Sequence, residues 1–342
     1  MAHGGEAPSS GELASWRAVP AASLHSAARR RARGPVAAAL DRVARRRATL
    51  VGLVLCYHRV GDPPGRAGHD LVPALGTRLF AAQVKALAAR YRLVRASDVL
   101  AAAATRRRGE RFPLAITFDD DLAVHVAHTA PALRALGATA TFYLGGPALD
   151  GPRPFFWEAL QAALDRGLDP ADPLLPPVAD PGGRGGRHRI ADAIRRLERG
   201  ERDALTAALV ERAGGTPPEA GLRPDGVRAL VAAGMEIGFH TRDHEALDLL
   251  GDDALAAALR DGRERVAELA GAPLETVAYP FGAADARVAA ATRAAGFSAA
   301  FTLAPEPVRP GSDDPFLLGR FQPSFASAAQ TELELARATL AA

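Results

Sequence analysis

One cysteine, Cys56, stands in the 342 residues. No disulfide can form within the chain, and a zinc site made of several thiolates is excluded. Lysine is as scarce: Lys85 is the only one, so the 42 basic residues are almost all arginine. A phosphate-binding loop of the Gly-Lys-Ser/Thr kind is therefore missing. Schiff-base chemistry would fall on Lys85, inside an ordinary helical pattern. No window approaches the roughly 18 apolar residues of a spanning helix, and Met1–Ala28 holds no apolar signal-peptide core. A reducing cytoplasm is the compartment these absences lead us to expect. The net charge of +3 is small and spread out, which implies no nucleic-acid partner.

What remains is an ordinary globular composition, 48% hydrophobic and 24% charged, long enough for one large α/β domain or two smaller ones. Residues 1–28 read as a disordered tail. Residues 29–47 carry eight arginines around an Ala/Val/Leu stretch able to form a short helix, and together 1–48 form a tail with a basic arm. Such an arm is either solvated or docks on anionic lipid. The core runs over 49–325. Leu50–His58 is a strand on which Val54, Cys56 and His58 share one face. The spacing predicts a helix over 78–90, a strand over 91–95 and a helix over 98–104 capped by Ser97. A charged exposed turn is expected at 106–111. Pro113–Asp119 is a strand, 125–136 a helix ending at Gly137, and 138–144 a strand.

Residues 147–222 interrupt this rhythm and read as a helical insertion, led by Phe155, Phe156 and Trp157. Those aromatics suit either core packing or a lid and sugar platform. The alternation resumes with a helix at 225–233, strand 235–239, one helix over 252–269 and strand 276–279. A helix at 287–295, strand 297–303 and a possible strand at 317–321 complete it, followed by a C-terminal helix in 326–342. Six to eight strands with crossover helices suffice to close a barrel; an open doubly wound sheet satisfies the same periodicity.

Pro113–Asp121 is the anomaly. A buried apolar strand runs into three adjacent carboxylates, Asp119, Asp120 and Asp121, each costly to bury unless paired, protonated or bound to a cation. Other unusual polar residues also fall at strand ends: His58, His240 with His244, and Tyr279 before Pro280-Phe281-Gly282. In a closed barrel that is where chemistry sits. His240-Thr-Arg-Asp-His244 is spaced for two imidazoles to converge on one cation, and the aspartates offer a third ligand.

These residues resemble the polysaccharide deacetylase family (NodB homology, carbohydrate esterase family 4). The likeness rests on Thr117-Phe118-Asp119-Asp120, His240-Thr241-x-x-His244, the opening Leu-Cys-Tyr-His-Arg-Val and Tyr-Pro-Phe-Gly, and it spans about 50–325. The resemblance implies a distorted (β/α) barrel of about seven strands carrying the insertion. It implies one divalent metal, zinc ahead of cobalt, nickel or manganese, and hydrolysis of N-acetyl groups from amino sugars. Carried over, Asp120, His240 and His244 bind the metal and Asp119 is the general base. A backbone N–H near Tyr279 stabilises the oxyanion.

Three departures stand out. The family's late histidine acid has no counterpart after His244, so His58 is the substitute. The glycine after the aspartate pair is Asp121, expected to face solvent. The arginine that orients the base is missing before Tyr279-Pro280, and Arg320 is the candidate to replace it. The expected partner is an N-acetylated glycan, or a lipid- or nucleotide-linked acetamido sugar met at the inner membrane face through residues 29–47. Rival readings are a hydrolase of small non-sugar amides, a carbohydrate-binding or regulatory protein without turnover, and an iron enzyme dependent on a 2-oxo acid.

Overall fold

The computed structural model describes residues 25–66, 68–146, 153–217 and 221–342, with side chains from residue 31 onward. Of the tail expected over 1–28, residues 1–24 lie outside the described residues, while 25–28 are helical rather than disordered. The chain opens with helix α1 (His25–Arg45). The barrel then alternates strand and helix: β1 (Leu53–Tyr57), α2 (Thr77–Arg90), β2 (Arg92–Val94), α3 (Val99–Ala104), β3 (Pro113–Asp119), α4 (Ala130–Ala135) and β4 (Thr141–Leu144). The insertion contributes α5 (Phe156–Asp165), α6 (Gly186–Arg195) and α7 (Arg199–Arg212). After it come α8 (Pro224–Ala232), β5 (Glu236–Phe239), α9 (Asp252–Ala258), α10 (Arg263–Ala270), β6 (Thr276–Ala278), α11 (Ala286–Ala294), β7 (Ala299–Phe301) and α12 (Ala328–Ala341).

The strands are short and mostly apolar, and all but β2 are buried along nearly their whole length, as suits a sheet covered on both faces. They lie in parallel in the order β1-β3-β4-β5-β6-β7, and β2 pairs with the first half of β3. The two ends of this curled sheet are joined by residues 318–321. Leu318 pairs with Phe301 of β7, and Phe321 pairs with Leu55 of β1. The possible strand at 317–321 is thus two single bridges rather than a ladder. It completes a distorted (β/α) barrel. Gly319 is required in this crossing, because a Cβ there would lie 2.5 Å from the Ala304 carbonyl oxygen. The neighbouring Arg320 is carried into the barrel and is fully buried.

Alternation along the strands then decides what faces the interior. Val54, Ala115, Tyr143, Ala278 and Phe301 form the inner cluster, with Val99 from the start of α3 and Ala96 from the turn before it. Tyr143 crosses the barrel, and Gly238 on β5 leaves it room: a Cβ there would meet the ring at 2.4 Å. Below this layer Glu236 accepts from the hydroxyls of Ser97 and Thr141 and from the Ala96 N–H (3.1 Å). Ser97 therefore ties α3 to the sheet and does not cap the helix. Outside the sheet a larger core packs strands against helices, including Phe118 stacked on Phe142 at 4.8 Å and on Tyr57 at 5.4 Å. Truncating one such ring to alanine costs roughly 3–5 kcal/mol.

Three further expectations change. The long helix at 252–269 is two, α9 and α10, broken where Gly262 takes φ +82°. The turn at 106–111 is not all exposed: Arg106 is 5% exposed and donates to the carbonyls of Arg45, Thr49 and Glu110. The basic arm is a helix docked on the C-terminal helix, with Ala37 and Leu40 of α1 against Leu333 and Ala336 of α12. Small residues let the two helices approach closely, and Arg47 donates to the Leu340 carbonyl at 2.7 Å.

Candidate metal centre

The interior-facing positions end at one rim, and on β1, β3 and β5 they run on into His58, Asp119 and His240. β3 ends at Asp119. Asp120 follows with φ +74°, a left-handed conformation rare without glycine. This turn breaks the strand's alternation, so both carboxylates serve the barrel mouth. His125 secures it from behind. Its Nε2 lies 3.2 Å and 3.0 Å from the carbonyl oxygens of Asp119 and Asp120, so that nitrogen carries the proton. Burial pushes the His125 imidazole down to about 4, which keeps it neutral.

β5 delivers His240 to the same rim. Its Nδ1 donates to the Ala278 carbonyl at 2.8 Å, which leaves the Nε2 lone pair facing Asp120. His244 follows after a turn in which Thr241 and His244 take φ of +58° and +47°. Asp120 Oδ1 lies 3.5 Å from His240 Nε2 and 3.3 Å from His244 Nε2. Phe281, at φ +60°, packs edge-on to the His244 ring at 4.6 Å, and Trp157 from the insertion does so at 4.7 Å. Four residues at this rim thus hold left-handed backbone, a strain that persists only where surroundings enforce it.

The donor set fits a divalent cation. Asp120 Oδ1 is buried without a hydrogen-bond partner, although two imidazoles face it at distances beyond the roughly 2.7–2.9 Å of a charged hydrogen bond. The three donor atoms lie within 4.8 Å of one another. Two imidazoles and one carboxylate leave a coordination position open, as catalytic sites do. Burial would raise the Asp120 carboxyl, but His240 and His244 outweigh it and hold it well below the usual range. Burial lowers His240 too, and the two aspartates more than reverse this; His244 stays lowered by burial.

Asp119 meets a different partner. Arg320 NH1 donates to Oδ1 and NH2 to Oδ2, each at 2.7 Å, a bidentate pair buried on all sides. Arg320 is itself fixed by Thr302 O at 3.0 Å and Thr117 Oγ1 at 3.2 Å. Burial would raise the Asp119 carboxyl, yet Arg320 and then His240 bring it down to about 2. The Cys56 thiol donates to Asp119 Oδ2 at 3.3 Å, and His58 stands next to it, Nδ1 at 4.0 Å from Sγ.

The sequence-predicted residues are thus gathered at one mouth, with two exceptions. The Tyr279 N–H donates to Phe301 O at 3.0 Å, and its hydroxyl to Phe316 O at 2.9 Å; both are spent on the scaffold, and Phe281 is the residue of this segment that reaches the site. Asp121 does not face solvent. It is 2% exposed and accepts from the N–H groups of Gly145 (3.2 Å) and Gly146 (2.9 Å), while burial pushes its carboxyl up to about 7. Cys56 and His125 carried no expected role, although Cys56 shares its strand face with His58. The insertion aromatics belong to a second core with Leu160, Ile190 and Leu209, while Trp157 and Phe155 also wall His244.

Residues 189–300 match the family model described as polysaccharide deacetylase. The match takes in His240 and His244 and stops short of the aspartates and Arg320. Among solved structures the chain is similar to the deacetylase PplD of Streptococcus pyogenes in complex with acetate (TM-score 0.58, 13% identity, covering 85% of this chain and 99% of that one). It is similar to IcaB from Ammonifex degensii (0.55, 21%, 85% and 97%). It also resembles BC0361, a polysaccharide deacetylase from Bacillus cereus (0.52, 17%, 84% and 69%). At such identities the likeness is one of fold. No curated protein sequence matches.

Proposed function

We propose that this chain, which carries a polysaccharide deacetylase domain, removes N-acetyl groups from an amino-sugar glycan or glycan precursor with one divalent cation held by Asp120, His240 and His244. The observation that carries the reading is the division of labour between adjacent aspartates: Asp120 faces two imidazoles, and Asp119 is clamped by a guanidinium. Zinc is the expected ion, with cobalt, nickel or manganese as alternatives.

When bound, the cation supplies Lewis acidity toward a water and the amide carbonyl. The chain's own residues handle protons and orientation. Arg320 keeps Asp119 ionised and fixes its plane. Arg320 and Cys56 together occupy Oδ2, whereas Oδ1 has only one donor, so Oδ1 is the oxygen that accepts the proton of the attacking water. A carboxylate held near 2 is a weak base, so the water must be acidified for this transfer. As the C–N bond breaks, His58 gives a proton to the leaving nitrogen, and acetate and a free amine result. Phe281, Trp157 and Phe155 keep water from the His244 side and offer the apolar wall that a methyl group or a sugar face needs.

The test is metal analysis with an acetate-release screen over N-acetylated oligosaccharides and lipid- or nucleotide-linked acetamido sugars, for wild type and Asp119→Asn. Acetate from at least one, lost in Asp119→Asn with the metal retained, supports the reading. Metal-loaded protein that binds glycan but releases no acetate contradicts it.

The outward side of α1 and the turn after it expose Arg31, Val36, Arg42, Val43 and Arg46. Basic residues interleaved with valines suit peripheral contact with anionic lipid. No described helix is long and apolar enough to cross a membrane. Binding to phosphatidylserine vesicles that falls with salt, and falls further in Arg42→Glu/Arg46→Glu, checks this contact; equal binding to neutral vesicles would contradict it.

A further inference from the structure

A second group of donors lies beside the one just described, and the proposed reaction uses two of its members only as proton carriers. Cys56 Sγ is 3.3 Å from Asp119 Oδ2 and 4.0 Å from His58 Nδ1, and the three donor atoms all lie within 4.8 Å of one another. Zinc bonds of about 2.3 Å to sulfur and about 2.0–2.1 Å to nitrogen or oxygen, at tetrahedral angles, put such donors roughly 3.5 Å apart. The cluster is therefore close to the spacing of a zinc site with a thiolate, an imidazole and a carboxylate. Its surroundings resemble those of built sites. Arg320 fixes the carboxylate, the strand β1 fixes Cys56, and His58 is half-buried. Cys56 and His58 also line a cavity of about 10 Å³, room for about one water.

We propose that Cys56, His58 and Asp119 form a second cation site, selective for soft divalent ions such as zinc, and that filling it stops the reaction. The ion takes the place of the thiol proton that now bridges Cys56 to Asp119. The S–H bond breaks, the proton goes to solvent, and sulfur and Oδ2 both bond to the metal. Thiolate and carboxylate bring two negative charges, one of which Arg320 already shares, so the filled site keeps one net positive charge. A thiolate ligand favours zinc or cobalt over magnesium or manganese. The two donor groups share no residue, so both ions can be held at once; the Asp120 group, which has no cationic side chain of its own, fills first. The inhibitory consequence rests on the deacetylase reading, because Asp119 and His58 are its proton carriers; the binding itself does not.

Cys56 is the only cysteine in the chain, so a thiolate-to-cobalt charge-transfer band reports this site alone. Metal-free full-length protein is titrated with Co²⁺, and acetate release is followed in the same samples. The first equivalent is expected to give no sulfur band. The second should give one, with at least a tenfold loss of turnover where turnover is present. Cys56→Ser should abolish the band, and His58→Ala should weaken the second binding more than tenfold, with unchanged melting temperature showing that both variants fold. Mn²⁺ should restore turnover without inhibition at excess. A sulfur band absent at every Co²⁺ concentration overturns the proposal, and so does a band on the first equivalent, which would place the thiol in the primary site. A band on the second equivalent without loss of existing turnover overturns the inhibitory role. If the band appears while no preparation ever releases acetate, the second site stands and the deacetylase reading falls.

Discussion

Asp119 and Asp120 are neighbours in the chain, equally buried at 2% exposure, and end in opposite company. Asp119 meets Arg320, a cation the protein supplies itself. Asp120 meets two imidazoles that supply lone pairs but no fixed charge. A buried carboxylate needs a positive partner. Where the chain provides one, the result is an oriented carboxylate; where it provides only ligands, the result is the place an ion fills first. The same contrast separates the two donor clusters at the mouth, since only the one containing Asp119 is neutralised in advance.

The comparison can be broken from either side. The largest effect is expected from Asp120→Ala on a Cys56→Ser background, which removes the anionic ligand and the second site together: metal content should fall below a tenth of an equivalent, and acetate release to background. Asp119→Asn comes next. It keeps the metal and should lose about 10²–10⁴-fold in kcat, the usual range for a general base. Arg320→Ala should lower stability by about 3–5 kcal/mol in denaturant unfolding, because it strands a buried carboxylate. Arg320→Lys sharpens the point. It keeps the charge but not the fork, so the fold should survive with kcat reduced about tenfold to a hundredfold and metal retained. His58→Gln should reduce kcat by about 10–100-fold, less for substrates with better leaving groups; no dependence on the leaving group would count against an acid role.

Much of the fold was legible because its strands announce themselves. Pro113–Asp119 is bounded by a proline and by charge, and the observed β3 has those bounds. The polar residues gathered at the mouth were visible as exceptions, since apolar strands rarely end in histidine or aspartate. Arg320 could be suspected because the family that the sequence resembles orients its base with an arginine before the Tyr-Pro segment, and none stands there in this chain. What stayed hidden depended on partners far along the chain. Nothing local shows that residues 25–45 rest on a helix 290 residues later, or that Asp121 is sheltered by the Gly145 and Gly146 N–H groups. Tyr279's own groups serve the scaffold, because the sheet takes its N–H before the chain reaches the site. The break at Gly262 was missed because its flanks continue the helical period.

The most direct measurement is metal per chain in Asp119→Asn and Asp120→Asn, each made on a Cys56→Ser background, purified together and loaded with zinc at one equivalent. The account predicts close to one zinc in Asp119→Asn and far less in Asp120→Asn, with acetate release lost in both. Equal zinc in the two variants, whether kept or lost, would contradict the division between the two aspartates.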